Sequence, residues 1–221
     1  MAAGTHRLCS GLTMEPPLLD LALILSLSQA CAPHVAPETL AAVAYAESRF
    51  NPNAIGVNRG PRPARTPRDA AEAARVARDL LARGANLDLG VAQINSDNLD
   101  WLGLSVEAAF DPCRNLAAAG QVLRAGYRPA EGVDPQTTLR IALSRYNTGH
   151  PERGFRNGYV ARVEAAAVRL GVQALRPVQP LATAPLPDPV QTAPAADWDV
   201  FARARASLVL TFTATQTGSS E

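Results

Sequence analysis

Aromatic side chains make up only 5% of the 221 residues, and cysteine occurs three times. The three, Cys9, Cys31 and Cys113, form no Cys-x-x-Cys pair and have no close histidine partner, which argues against a structural zinc site. Charge of one sign is missing too. With 21 basic and 20 acidic side chains the formal net charge is +1, so no broad field draws the chain to nucleic acid or to an anionic membrane. Long hydrophobic runs are also absent: the most apolar stretch, 18–27, is interrupted by Asp20, whereas a membrane span needs roughly 18 to 20 consecutive apolar residues. No internal repeat is visible. Binding has to come from a local site.

A 47% hydrophobic content suits a globular core, and the alanine-rich, aromatic-poor composition favours helices. The length accommodates one sizeable domain and a tail. Segment 18–27 has two readings. It is a signal h-region, with Ser28-Gln29-Ala30 supplying small residues before cleavage at Cys31, or it is the first amphipathic helix of the mature domain. Acidic Glu15 and Asp20, with only His6 and Arg7 as a basic start, favour the helix and make Met14 a candidate start. Three cysteines fit one disulfide plus one cysteine outside the mature domain, in an oxidising compartment, or three reduced thiols. His34 and His150 have no ligand-like partner in sequence, so no metal is expected.

The most informative stretch is Ala44-Tyr45-Ala46-Glu47-Ser48-Arg49-Phe50-Asn51-Pro52. Leu40, Val43, Ala44 and Glu47 recur at helical spacing, which sets a carboxylate on an apolar stripe. Burial raises the pKa of such a group, so that it holds a proton near neutral pH and can donate it. Pro52 restricts Asn51 and is expected to stop the helix, leaving Glu47 in the last turn beside a loop. The plainer alternative is a solvated glutamate paired with Arg49.

Pro37 and Glu38 open this helix, and 53–63, with Gly56, Gly60, Pro61 and Pro63, reads as a loop. Thr66-Pro67-Arg68-Asp69 resembles a capping box, opening a helix with an apolar stripe of Ala73, Val76, Ala77, Leu80 and Leu81 that Gly84 ends. Its arginines, Arg68, Arg75, Arg78 and Arg83, form a solvated face. The run 89–95 is too short to assign to helix or strand. Asp111-Pro112 and Asp134-Pro135 each combine a cap with a first-turn proline, predicting helices to about Tyr127 and across Tyr146, and a last helix runs from about Tyr159 to Leu170. Beyond Gly171, six prolines between 177 and 194 mark a semi-extended linker, followed by Asp197-Trp198-Asp199-Val200-Phe201, a docking peptide or a weakly ordered tail. The expected division is an extension at 1–17, a domain at 18–171 and a linker with tail at 172–221.

Three clusters set polar groups among apolar neighbours: Glu47; Gln93 and Asn95; and Tyr146-Asn147-Thr148-Gly149. One acid with amides and a phenol suits a glycan, whose hydroxyls and acetamides need neutral partners while a carboxyl protonates the glycosidic oxygen. The stretches Glu47-Ser48-Arg49-Phe50-Asn51-Pro52, Gly90-Val91-Ala92-Gln93-Ile94-Asn95 and Ala142-Leu143-Ser144-Arg145-Tyr146-Asn147, in that order, resemble the motifs of the goose-lysozyme-like lytic transglycosylases. Cys31-Ala32-Pro33 and Pro112-Cys113-Arg114-Asn115-Leu116 are similar to features of the transglycosylase subunit of VirB-type type IV secretion systems. Gly56 and Ala92 depart from a serine and a methionine common in soluble members.

The resemblance implies a mainly α, lysozyme-like domain with Glu47 at the floor of a cleft between helical lobes and at most a small β element near 86–95. It implies that Glu47 is the single catalytic acid, cleaving between N-acetylmuramic acid and N-acetylglucosamine and yielding a 1,6-anhydro sugar. Gln93 and Asn95 then line the sugar cleft, and Tyr146 matches a tyrosine that helps hold the acid. Asn147 and Tyr159 fall in the matching motifs as further candidates for substrate binding. A Cys31 to Cys113 disulfide is expected, as are a periplasmic location, peptidoglycan strands as substrate, secretion subunits as partners of the tail, and no cofactor. No second acid lies inside the motifs. Asp88 and Asp97 flank the second one, read as surface charges or caps, and leave a hydrolytic muramidase open. A glycan-binding scaffold without catalysis is the reading from a different class.

Overall fold

A computed structural model describes residues 18–172. The extension at 1–17 with Cys9, and the linker and docking peptide from 173 onward, lie outside the described residues.

The chain starts with α1 (Leu21–Cys31), whose N-cap Asp20 accepts a hydrogen bond from the Leu23 amide at 2.8 Å. Segment 18–27 therefore enters the domain as a helix, with Ile24 and Ser28 buried. Next is α2 (Pro37–Ser48), the central helix: every residue from Thr39 to Ala44 is buried. A helix apolar on all sides has to be surrounded, and α2 packs against α1 and the last helix of the domain. It does not run on to Pro52. Arg49 and Phe50 both have positive φ (57° and 69°), and the Arg49 amide bonds back to the Tyr45 carbonyl, so a left-handed cap ends the helix at Ser48.

Segment 53–63 is not purely loop. It contains β1 (Ile55–Arg59), and after α3 (Ala70–Ala82) the chain adds β2 (Asn86–Leu89) and β3 (Ile94–Asn95) to form an antiparallel sheet in the order β1-β2-β3. The glycines and prolines around β1 obscured a five-residue strand. The cap of α3 is Asp69, which accepts from the Glu72 amide at 2.8 Å; the helix begins at Ala70, three residues later than a Thr66 cap implies.

A short turn, α4 (Leu99–Leu102), precedes the expected α5 (Pro112–Gly126) and α6 (Pro135–Thr148). Asp111 and Asp134 cap the latter two as their sequences indicate. The single turn α7 (Arg153–Arg156) leads into α8 (Tyr159–Arg169). Cys31 and Cys113 form a disulfide joining the end of α1 to the first turn of α5 across 82 residues. The fold is mainly helical and lysozyme-like, with one small sheet. No helix among the described residues is long and apolar enough to cross a membrane.

Candidate active site

A cleft of about 590 Å³ separates two unlike walls. One is the sheet, with Asn58, Asn86, Asp88 and Asn95. The other consists of α5 and α6 and the chain following each, with Val122, Gly126, Arg128, Arg145 and Asn147. The cleft thus lies between a sheet and helices rather than between two helical lobes. Glu47 and Gln93 line it between these walls, Tyr146 lines it from α6, and Trp101 is 52% exposed at its edge.

Glu47 sits in the last turn of α2, where the left-handed cap turns the backbone away and leaves the carboxyl beside the cleft. Its Oε1 accepts a 2.7 Å hydrogen bond from the Tyr159 hydroxyl at the start of α8. Burial pushes the Glu47 carboxyl up to about 7; the Tyr159 bond acts against this, the negative charge of Asp88 adds to it, and the Arg162 guanidinium again opposes it. Glu47 does not pair with Arg49, which donates to the Tyr45 hydroxyl at 2.8 Å and stacks over that ring.

The tyrosines have different tasks. Tyr159 is 1% exposed and stands behind Glu47, outside the cleft lining. Tyr146 lines the cleft and donates to the Ala92 carbonyl at 2.7 Å, its ring stacked 6.5 Å from that of Tyr159. Burial holds both phenols well above their ordinary range, so both act as neutral donors.

The turn between β2 and β3 carries Gln93. Gly90 takes φ +77°, and a Cβ there would lie 2.1 Å from the Ala109 carbonyl oxygen, so only glycine fits. Gln93 itself has φ +51°, a left-handed conformation uncommon for a residue with a side chain. Three helices hold this geometry. Ser48 at the end of α2 donates to the Val91 carbonyl at 2.6 Å, and Tyr146 of α6 holds Ala92. Fully buried Asn115 of α5 accepts from the Ala92 amide at 2.8 Å and donates to the carbonyls of Leu89 and Ala109 at 2.9 and 2.7 Å. The Gln93 amide nitrogen donates to the Gly90 and Ala54 carbonyls at 2.8 and 3.2 Å.

The sheet register explains Asp88. It stands opposite Asn95 on β3 and Gly56 on β1, while Asn58, two residues beyond Gly56, falls on the same face. Asp88 consequently accepts from the Asn95 amide at 2.7 Å and the Asn58 amide at 2.8 Å. This corrects its reading as an ordinary surface charge: Asp88 is a fixed carboxylate on the cleft wall. Asp97 is not among the lining residues. Asn147 lines the cleft and accepts from Asn157 at 2.8 Å. Sequence reasoning missed Asn58, Asn86, Trp101, Arg128 and Arg145. The alternation of buried Leu87 and Leu89 with Asn86 and Asp88 was the available signal for the sheet wall.

Residues 25–167 match the transglycosylase SLT domain, and the chain belongs to that family. Among curated relatives it is 39% identical over 184 residues to protein virB1 of Agrobacterium fabrum strain C58, covering 83% of this chain and 72% of that one. It is 44% identical over 151 residues to type IV secretion system protein virB1 of Brucella abortus biovar 1, covering 65% of this chain and 63% of the relative. Protein virB1 of Rhizobium radiobacter is also 44% identical, over 150 residues, 67% of this chain and 62% of the relative. The match thus spans slightly under two thirds of the length of the last two. No solved structure matches the chain.

Proposed function

We propose that this chain is an exported peptidoglycan lytic transglycosylase, acting in the periplasm, that opens the wall locally for a type IV secretion or conjugation machine. The observation that carries the chemistry is Glu47: a carboxyl on the cleft, pushed up to about 7 by burial and held by Tyr159, is poised to be proton donor and then acceptor in one cycle. In the proposed reaction the Glu47 carboxyl protonates the glycosidic oxygen as its bond to C1 of N-acetylmuramic acid breaks. The substrate's acetamido oxygen bonds to C1, and the muramoyl 6-hydroxyl then displaces it, giving up its proton to Glu47. The 1,6-anhydro product forms without water, and Glu47 ends as it began. Gln93, Asn95 and Asn147 supply amides for sugar hydroxyls and acetamides; Tyr146 and Tyr159 position the turn and the acid. The secretion role and any partner of the tail rest on the names of the relatives. Export is supported by the disulfide.

Asp88 supports a second reading. Two carboxylates on one cleft are the equipment of a hydrolase, one acting as acid and the other assisting water or the developing cation. Mass spectrometry of purified peptidoglycan digested by the full chain separates the readings. Anhydro-muropeptides from the parent but not from Glu47→Gln establish the transglycosylase. Reducing-end muropeptides, lost in Asp88→Asn, establish the hydrolase. Glycan binding without cleavage leaves only a scaffold.

A further inference from the structure

A neutral sugar strand accounts for the amides of the cleft but not for its cations. Arg128 and Arg145 both line it, and both belong to the helical wall, whereas the lining acids, Glu47 and Asp88, lie outside that wall. Arg128 is exposed and has no ion pair or hydrogen bond with any described residue. Arg145 is half-buried, and one of its terminal nitrogens donates to the Gly126 carbonyl at 2.8 Å. That bond fixes the guanidinium and leaves its remaining N–H groups without a described acceptor. Both face one cleft on a wall where α5 approaches α6 closely. A Cβ on Gly126 would lie 3.3 Å from the Ala142 carbonyl oxygen and 3.4 Å from the Arg145 Cβ, so glycine lets the end of α5 approach Arg145 closely, and Arg128 follows two residues beyond it.

We propose that Arg128 and Arg145 form a carboxylate subsite on the helical wall, which makes the cleft selective for anionic muramoyl glycan over a neutral chitin-type strand. N-acetylglucosamine carries no charge. Each muramic acid carries a lactyl group that ends in a carboxylate when bare, or in a stem peptide with carboxylates of its own. A guanidinium matches such a group with paired N–H donors, and an anchored guanidinium loses less freedom in doing so. The amides of the sheet wall hold the sugars, and the arginines hold what hangs from alternate sugars. This inference rests on the glycan reading above.

The test measures binding, not turnover. The full chain carrying Glu47→Gln and Trp198→Phe is titrated, by fluorescence of the cleft-edge Trp101, with three oligosaccharides of equal length: a neutral chitin oligomer, a stem-free muramoyl oligomer and a stem-bearing one. The expected result is tighter binding of the anionic ligands, with the preference weakening as salt is raised. Adding Arg128→Gln lowers the ratio of anionic to neutral affinity about 5- to 10-fold, and Arg128→Glu lowers it further. A ratio that falls for both anionic ligands identifies the lactyl carboxylate as the bound group; a fall for the stem-bearing ligand alone identifies the stem peptide. An unchanged ratio, or an equal loss for all three ligands, overturns the subsite. Failure of all three to bind before Arg128 is changed, in protein with a normal melting transition, refutes the glycan reading instead.

Discussion

The Tyr159 hydroxyl donates to Glu47 Oε1 at 2.7 Å across 112 residues of sequence, from a position that is itself 1% exposed. Behind it the Arg162 guanidinium lies 5.5 Å over the Tyr159 ring and donates to the Asn157 carbonyl at 3.2 Å. Burial is the main reason Glu47 keeps its proton, and this phenol, held between a cation and the carboxyl, works against it.

Removing that donor should move the pH range of the enzyme. The Tyr159 bond favours the charged carboxylate, so Tyr159→Phe raises the Glu47 pKa above about 7. With the protonated carboxyl as the acid, activity falls on the alkaline side as Glu47 ionises. In Tyr159→Phe that limb should shift upward by about half a unit to one unit, the equivalent of one hydrogen bond. A pH profile of muropeptide release checks this; an unshifted limb with uniformly lower turnover would mean that Tyr159 acts only in packing.

Stability should carry the same signature. The folded Glu47 carboxyl holds its proton up to about 7, against an ordinary value of 4.5, so between these values the folded state binds more proton than the unfolded chain. The stability of the parent therefore falls as pH rises through this window, and the loss is complete above it. Glu47→Gln keeps an acceptor for Tyr159 and does not titrate. Its advantage should be near zero below pH 4.5 and grow to roughly 3 kcal/mol above pH 7. Denaturant melts of both proteins at pH 4.5 and 8 measure it, and a gap independent of pH would contradict the burial of the acid.

Gly56 leaves the space that the Gln93 side chain occupies. A Cβ there would sit 2.6 Å from Gln93 Oε1 and 3.3 Å from the Asp88 Cβ. Gly56→Ala should displace the amide and lower kcat/KM by up to about 100-fold, as expected when a positioned group is misplaced by about 1 Å. The melting temperature should change little, because β1 tolerates a side chain conformationally. Steady-state kinetics beside a thermal melt separates the effects; full activity would show that Gln93 has no part in substrate binding.

The disulfide closes a loop with a sequence separation of 82. By the chain-entropy account its removal costs on the order of 4 kcal/mol. Cys113→Ser should therefore unfold at markedly lower denaturant than the parent, and the parent should approach it in reducing buffer. Equal midpoints with and without reductant would show that the bond contributes nothing.

Local signals in the chain announced the helices that carry the acid and its neighbours. Asp111-Pro112 and Asp134-Pro135 are cap and first-turn pairs, and each starts a helix where it stands. The apolar stripe runs along a buried helix and ends with Glu47 in its last turn. Less legible was the sheet: β1 is hidden among glycines and prolines, and β3 has two residues, so its existence depends on pairing rather than on any periodicity of its own. Asp88 was undervalued for the same reason, because a carboxylate next to a short apolar run shows its surroundings only once Asn58 and Asn95 come beside it.

The sequence by itself determined the helical frame, the segment that carries the acid and the residue types of a glycan site, since capping, helical spacing and short motifs are properties of neighbouring residues. Tertiary structure alone decided which tyrosine holds Glu47 and which holds the turn at Ala92, that Asp88 faces the cleft, and that two arginines share one wall. Each of these depends on distance between segments far apart in the chain, and burial, which sets the proton affinity of Glu47, exists only after those segments have packed.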